Sequence, residues 1–283
     1  MNKVLVLADS TVDLSPELFK KYNIERIPLN VNFGEESFKD GIDITPEQIY
    51  ERVKNGSPLP STSAIAPGVF KETLEKYIND GYDVVYVGIG SKLSTTYQNF
   101  MLVASEFEEG RAFAVDSESL STGSGLLALK MAKLRDEGKS AKEIFDIVQP
   151  LAAKVSAKFV LDRLDYMKKG GRCSAMTALL GHLFHIHPIL IMKDGKLVVE
   201  KKSRGPLKNA YNEMVDELKN DLPNIDFDHV MITHAGINQP DLDYIYNEVS
   251  KIVDPSIISI TQAGCVVSSH CGFGTVGILY IKK

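Results

Sequence analysis

Two hydroxyl-rich stretches and one histidine carry the residue types that could hold a charged group: Ser61-Thr62-Ser63, Gly90-Ser91-Lys92-Leu93-Ser94-Thr95-Thr96, and His270. The second stretch follows the apolar, β-branched run Asp83 to Ile89. It precedes Tyr97, Phe100, Met101, Ala104 and Phe107, which repeat as one face of a helix beginning near Ser94. A loop between a buried strand and a helix start offers unpaired N–H groups and the positive end of the helix dipole, so a carboxylate or phosphate is the ligand expected there. The competing reading of Ser94 is an N-cap that satisfies its own helix.

Other chemistry is weighed on the same residues. Gly88-Ile89-Gly90 opens like a dinucleotide fingerprint, with Asp116 after the next apolar run. Leu93 stands where the third glycine belongs, and its Cβ opposes the close helix–strand approach that the fingerprint needs. A Ser94–His270 pair would suit a small-molecule hydrolase or transferase. No G-x-S-x-G elbow is present, however, and no carboxylate is placed by sequence to orient the histidine. His270 reads as part of a flexible, glycine-spaced loop between strands. His182, His185 and His187 resemble a metal cluster, but their spacing misses the i, i+4 face of a helical site and no carboxylate or cysteine completes the set, so no metal or cofactor is expected. Lys168, Lys169, Arg172 and Arg204 read either as a solvated face or as a docking patch for an acidic or phosphorylated partner.

The elements that must position these groups follow from patterning. Val4 to Ala8 is a second buried-strand run, followed by the polar loop Asp9 to Leu14 and a helix started by Ser15-Pro16. Ile24 to Phe33 alternates as a strand, Thr45-Pro46-Glu47-Gln48 caps a helix, and Ser61 to Pro67 reads as a hydroxyl-rich loop facing Ser94 across a sheet edge. Further strands are predicted at Arg111 to Val115 and Ala157 to Leu161, and helices at Thr122 to Glu137 and from Lys139 to about Ala153. Beyond that point Lys193-Asp194-Gly195 signals a hairpin, and helices and strands alternate to the C-terminus. The fold class is therefore α/β with two domains, a parallel-sheet αβα domain over residues 1–155 and a mixed α/β domain over 156–283, and two domains imply a cleft between them.

Composition bounds the rest. A chain of 283 residues with 44% hydrophobic and 24% charged residues suits two globular domains. No apolar run approaches the ~20 residues of a membrane span, and the N-terminus lacks a signal-peptide pattern, so a cytoplasmic protein is expected. A net charge of −5 without a basic run argues against a nucleic-acid face, and Cys173, Cys265 and Cys271 form no CxxC pair, which predicts thiols rather than disulfides.

Taken together, Asp9-Ser10-Thr11-Val12-Asp13-Leu14, Thr62-Ser63, Ser91 to Gln98, Val115-Asp116-Ser117, Leu164 to Arg172 and Gly272-Phe273-Gly274-Thr275 resemble the DegV proteins, bacterial fatty-acid-binding proteins, from one end of the chain to the other. The resemblance implies a carrier and not an enzyme, with one long-chain fatty acid of the C16–C18 type between two α/β domains. It also implies a partner, a separate fatty-acid kinase related to dihydroxyacetone kinases, which phosphorylates the presented carboxylate. Carried over by motif, Thr62, Ser63, Ser94, Thr95 and His270 resemble the carboxylate-binding residues, and Arg172 and Arg204 the residues that engage the kinase. His187, Thr95 and Phe273 depart from the residues common at their positions, which are lysine, glycine and proline.

Overall fold

The computed structural model describes residues 2–174 and 186–283. The first half of the chain forms β1 (Lys3–Asp9), α1 (Pro16–Lys21), β2 (Glu25–Ile27), β3 (Asn30–Phe33), β4 (Glu36–Lys39), α2 (Pro46–Lys54), β5 (Ser61–Ser63), α3 (Pro67–Asn79), β6 (Tyr82–Val87), α4 (Thr96–Ala104), β7 (Ala112–Val115), α5 (Thr122–Asp136) and α6 (Ala141–Val148). The second half forms β8 (Val155–Val160), α7 (Asp165–Gly170), β9 (Ile186–Lys193), β10 (Lys196–Arg204), α8 (Leu207–Asp221), β11 (Ile225–Ala235), α9 (Gln239–Ser250), β12 (Ile258–Gln262), α10 (Cys265–Cys271) and β13 (Thr275–Lys282).

These elements make an α/β fold with a parallel sheet and a mixed sheet. The parallel sheet has the order β2-β1-β6-β7. Its central strands are the apolar runs of β1 and β6, whose Leu5 to Ala8 and Val84 to Val87 are buried on both faces as helix-covered parallel strands must be. The second sheet has the order β10-β9-β8-β13-β11-β12, antiparallel except for the β11–β12 pair, and its β9–β10 hairpin turns at Asp194-Gly195. A third, antiparallel sheet of order β4-β3-β5 shares no ladder with either, and its Val31 and Phe33 join the core cluster of Leu5, Leu7 and Tyr86 from the parallel sheet.

The helix α5 is sandwiched between the two large sheets. Thr122 through Leu129, with Met131 and Ala132, are buried, and the core around α5 joins Val6 and Ala8 of β1 to Ala157, Met231 and Leu279 of the second sheet. A helix buried all round shows no single apolar stripe. Each of its large apolar side chains contributes on the order of 2 kcal/mol by leaving water. Among the described residues, no helix is long and apolar enough to cross a membrane.

Two expectations are corrected. Ile24 to Phe33 is not one strand: the chain turns at Pro28-Leu29, so that β2 joins the parallel sheet and β3 the small one. Ser61 to Ser63 is not a loop but the strand β5, whose Thr62 sits opposite Val31 of β3. The polar run has no alternation to announce it; the edge of the β3–β4 hairpin supplies its partner.

Candidate functional site

Three separately built segments meet at one cleft. Thr62 and Ser63 come from β5, Ser94 from the loop before α4, and His270 from α10. All four line the cleft, which encloses about 570 Å³ of empty space partly open to solvent. The walls are apolar, with Leu29, Ile89, Leu93, Met167, Val266 and Leu197 among them.

The polar end is organised around His270. Its Nε2 lies 2.8 Å from Thr62 Oγ1, while its enclosed Nδ1 has no hydrogen-bond partner among the described residues. Burial, and then the Arg172 guanidinium, push the imidazole down to about 4, so it is neutral at pH 7. An orphaned buried N–H is costlier than an orphaned lone pair, and this assigns the proton to Nε2. Nε2–H then donates to Thr62 Oγ1, and the Thr62 O–H is left to point at a ligand. Gly170, the last residue of α7, makes this arrangement possible, because a Cβ there would stand 2.2 Å from His270 Nδ1.

Ser94 Oγ accepts from Thr96 N at 3.3 Å and pairs with Thr96 Oγ1 at 2.9 Å, so it turns the chain into α4 while lining the cleft. Thr95 is different. It is the N-cap residue of α4 but makes no side-chain capping bond, is exposed, and does not line the cleft; the buried neighbour is Thr96. The loop is held by Asp116, whose carboxylate accepts from Ser91 N at 3.0 Å and from the Ser91 hydroxyl. Asp116 is therefore a loop anchor in this fold. Gly88 likewise serves packing, since a Cβ there would overlap the Asp9 carboxylate and the Tyr86 hydroxyl.

His270 does not sit in a flexible loop. It lies on α10, whose start is fixed by distant carboxylates: Asp13 accepts from Gly264 N at 2.8 Å, and Asp40 from Cys265 N at 2.7 Å and Val266 N at 3.4 Å. Within the helix, Ser269 Oγ donates to Cys265 O at 2.7 Å. A third buried carboxylate, Asp9, accepts from Thr11 N, Thr11 Oγ1, Tyr86 Oη and Ile89 N, and so fixes the cleft wall at Ile89. Burial raises the Asp9 and Asp13 carboxyls above the ordinary carboxylate range. Sequence reasoning assigned none of these three a role. The signals were their positions, with Asp9 ending β1, Asp13 following it and Asp40 following β4, and the place of Asp9 and Asp13 in the family-like stretch Asp9 to Leu14.

Arg172 stands at the cleft rim, exposed, with Nη1 donating to Gly170 O at 2.7 Å. Arg204 ends the edge strand β10, exposed and away from the cleft lining. Ser94 and His270 do not form a nucleophile–base pair, because each bonds a different threonine, and among the described residues no carboxylate orients the imidazole. His182 and His185 lie outside the described residues; His187 sits in β9 opposite Ser203. Among the described residues no group of three or more His, Cys, Asp or Glu is placed to hold a metal, and none of the three cysteines forms a disulfide.

A parallel sheet and a mixed sheet sharing one buried helix, with an apolar cleft that ends in hydroxyls and a neutral histidine, define an α/β protein with an amphipathic cleft. The chain belongs to the DegV family, matching it over residues 3–283. It is 32% identical to a DegV domain-containing protein of Caldanaerobacter subterraneus subsp. tengcongensis and 31% identical to one of Clostridium acetobutylicum, each alignment covering all of both chains. Among solved structures it is similar to a DegV family protein of Thermus thermophilus described by its fatty-acid binding (TM-score 0.91, 28% identity, all of both chains). It is also similar to DegV of Bacillus subtilis, described as a fatty acid binding protein (TM-score 0.85, 26% identity, all of both chains). A third similar structure is a stearic acid-binding protein of Eubacterium ventriosum (TM-score 0.85, 26% identity, covering 100% of this chain and 99% of that one).

Proposed function

We propose that this protein binds one long-chain fatty acid of the C16–C18 type in the cleft, with its carboxylate at Thr62, Ser63, Ser94 and His270, and presents that carboxylate to a separate kinase related to dihydroxyacetone kinases. The observation that carries this reading is the junction of an apolar cleft with the Thr62–His270 pair, a site with donors for an anion and no cation buried against it. Each CH₂ buried contributes roughly 0.8 kcal/mol, so the tail supplies most of the affinity and the head group sets orientation. Hydroxyl donors, with the Thr62 O–H freed by the neutral imidazole that donates to its oxygen, hold a carboxylate without the tight ion pair that would quench its oxygen as a nucleophile toward phosphate. The protein acts as a carrier in the cytoplasm, Arg172 and Arg204 engage the kinase, and phosphoryl transfer belongs to the partner.

Native mass spectrometry of the purified protein, followed by denaturation and mass analysis of what is released, tests the reading. A stoichiometric fatty acid supports it. A protein that is empty and also fails to bind added palmitate or oleate overturns it.

A further inference from the structure

Where the end of α1 meets α5 and β11, a cavity encloses about 920 Å³ of empty space open to solvent, and it shares no lining residue with the cleft. The charges around it do not cancel. Lys130 Nζ donates to Asp226 at 2.7 Å and to Asp228 at 2.5 Å, and Lys133 Nζ donates to the two oxygens of Asp228 at 2.8 and 2.9 Å, so these lysines offset these aspartates. Lys21 is left over, its Nζ standing 5.1 Å over the Tyr22 ring with no acidic partner among the described residues. His229 Nε2 lies 3.2 Å from Tyr22 Oη, and the two rings meet edge-on with centroids 5.8 Å apart. Burial holds this imidazole below its ordinary value; Asp228 opposes the shift, and Lys21, Lys130 and Lys133 add to it. The ring is therefore neutral at pH 7 and able to take a proton. Arg135 fixes the arrangement by donating to Tyr22 O and Asn23 O, each at 2.7 Å, which pins the end of α1 that carries Lys21.

We infer that this cavity is a second ligand site, independent of the fatty-acid reading, and that it binds a small phosphomonoester through Lys21, Lys133 and His229. An ammonium has three N–H donors, and Lys133 bonds only Asp228 while Lys21 bonds no acid, so both keep donors for the space. The donors come from three elements around the cavity, which suits a tetrahedral group with several acceptor oxygens better than a planar carboxylate. One unpaired ammonium, with a proton taken up by His229, balances a phosphate dianion. Leu126, Leu129 and Ile281 line the same space and give the carbon part of the ester an apolar floor.

The test is ring-proton NMR of His229 in the full chain at pH 7 during addition of phenyl phosphate, the signal being identified by its absence from His229→Gln. The expected result is a saturable shift toward the imidazolium position. Lys21→Gln and Lys133→Gln each weaken the binding by about tenfold, and palmitate affinity is unchanged in both. Inorganic phosphate, which lacks the carbon part, binds more weakly, and sodium chloride at equal ionic strength gives no saturable shift. The site is overturned by a phenyl phosphate titration without a saturable shift, by a shift that sodium chloride reproduces, or by binding undiminished in both lysine variants. Benzoate binding as tightly as phenyl phosphate overturns the phosphate class. Each of these outcomes leaves palmitate binding in the cleft standing.

Discussion

Thr62 Oγ1 and His270 Nε2 lie 2.8 Å apart although 208 residues separate them in sequence. Because the imidazole donates, the threonine hydroxyl keeps its own hydrogen for a ligand. Thr62→Val removes that donor at nearly constant volume and leaves Nε2–H without its acceptor. Hydrogen bonds to charged groups contribute about 1.5–3 kcal/mol, so palmitate affinity should fall roughly 10- to 100-fold, with Thr62→Ser close to unaltered. Titration calorimetry of the two variants checks this.

His270 titrates near 4 in the empty protein, below the ordinary 6.5. Its folded value is depressed, so the neutral imidazole supports the fold above pH 6.5, and that support is lost as the pH falls from 6.5 toward 4, by up to about 3 kcal/mol. A bound carboxylate favours the imidazolium and raises the value; Arg172→Ala raises it in the empty protein. Ring-proton NMR titration with and without palmitate measures both shifts, and an unchanged His270 on loading would contradict carboxylate binding at this end of the cleft.

Asp40 accepts from the first two N–H groups of α10. Asp40→Ala orphans two buried donors at the start of the helix that carries His270, a loss of roughly 2 to 4 kcal/mol. The melting temperature should drop by about 5 to 10 °C, read by scanning calorimetry. Asp40→Asn keeps one acceptor oxygen and should fall between.

Gly170→Ala places a methyl group against His270 Nδ1. Overpacking of this kind costs about 1–3 kcal/mol. Combining it with His270→Ala removes the clash, so the glycine substitution should be nearly silent in that background; a double-mutant cycle from chemical denaturation gives the coupling. Equal costs in both backgrounds would place the strain elsewhere.

Ser94→Ala should slow acyl-phosphate formation by the partner kinase more than it weakens tail binding, because the hydroxyl orients the head while the walls hold the chain. Arg204→Glu, away from the cleft, should lower the kinase-coupled rate several-fold with palmitate affinity unchanged. Coupled rates measured beside binding isotherms separate the two effects.

The sequence by itself determined the elements that local physics writes. The β-branched runs of β1 and β6, the capping box at Thr45 and Gln48, the Asp194-Gly195 turn and the helix starts near Ser94 and Lys139 appear where patterning predicts them, although α4 and α6 end at Ala104 and Val148, short of the predicted Phe107 and Ala153. Only the tertiary structure decided that Thr62 rides on a strand and His270 on a helix. Ser61 to Ser63 becomes a strand because β3 offers an edge, and Cys265 to Cys271, rich in valine and serine, becomes a helix because Asp13 and Asp40 cap it from far upstream. A periodic pattern reports contacts within one element, whereas a cap or an edge supplied from far away in the chain leaves no local trace. The polar end of the cleft is built from such long-range partners, and so its residue types were legible while its geometry was not.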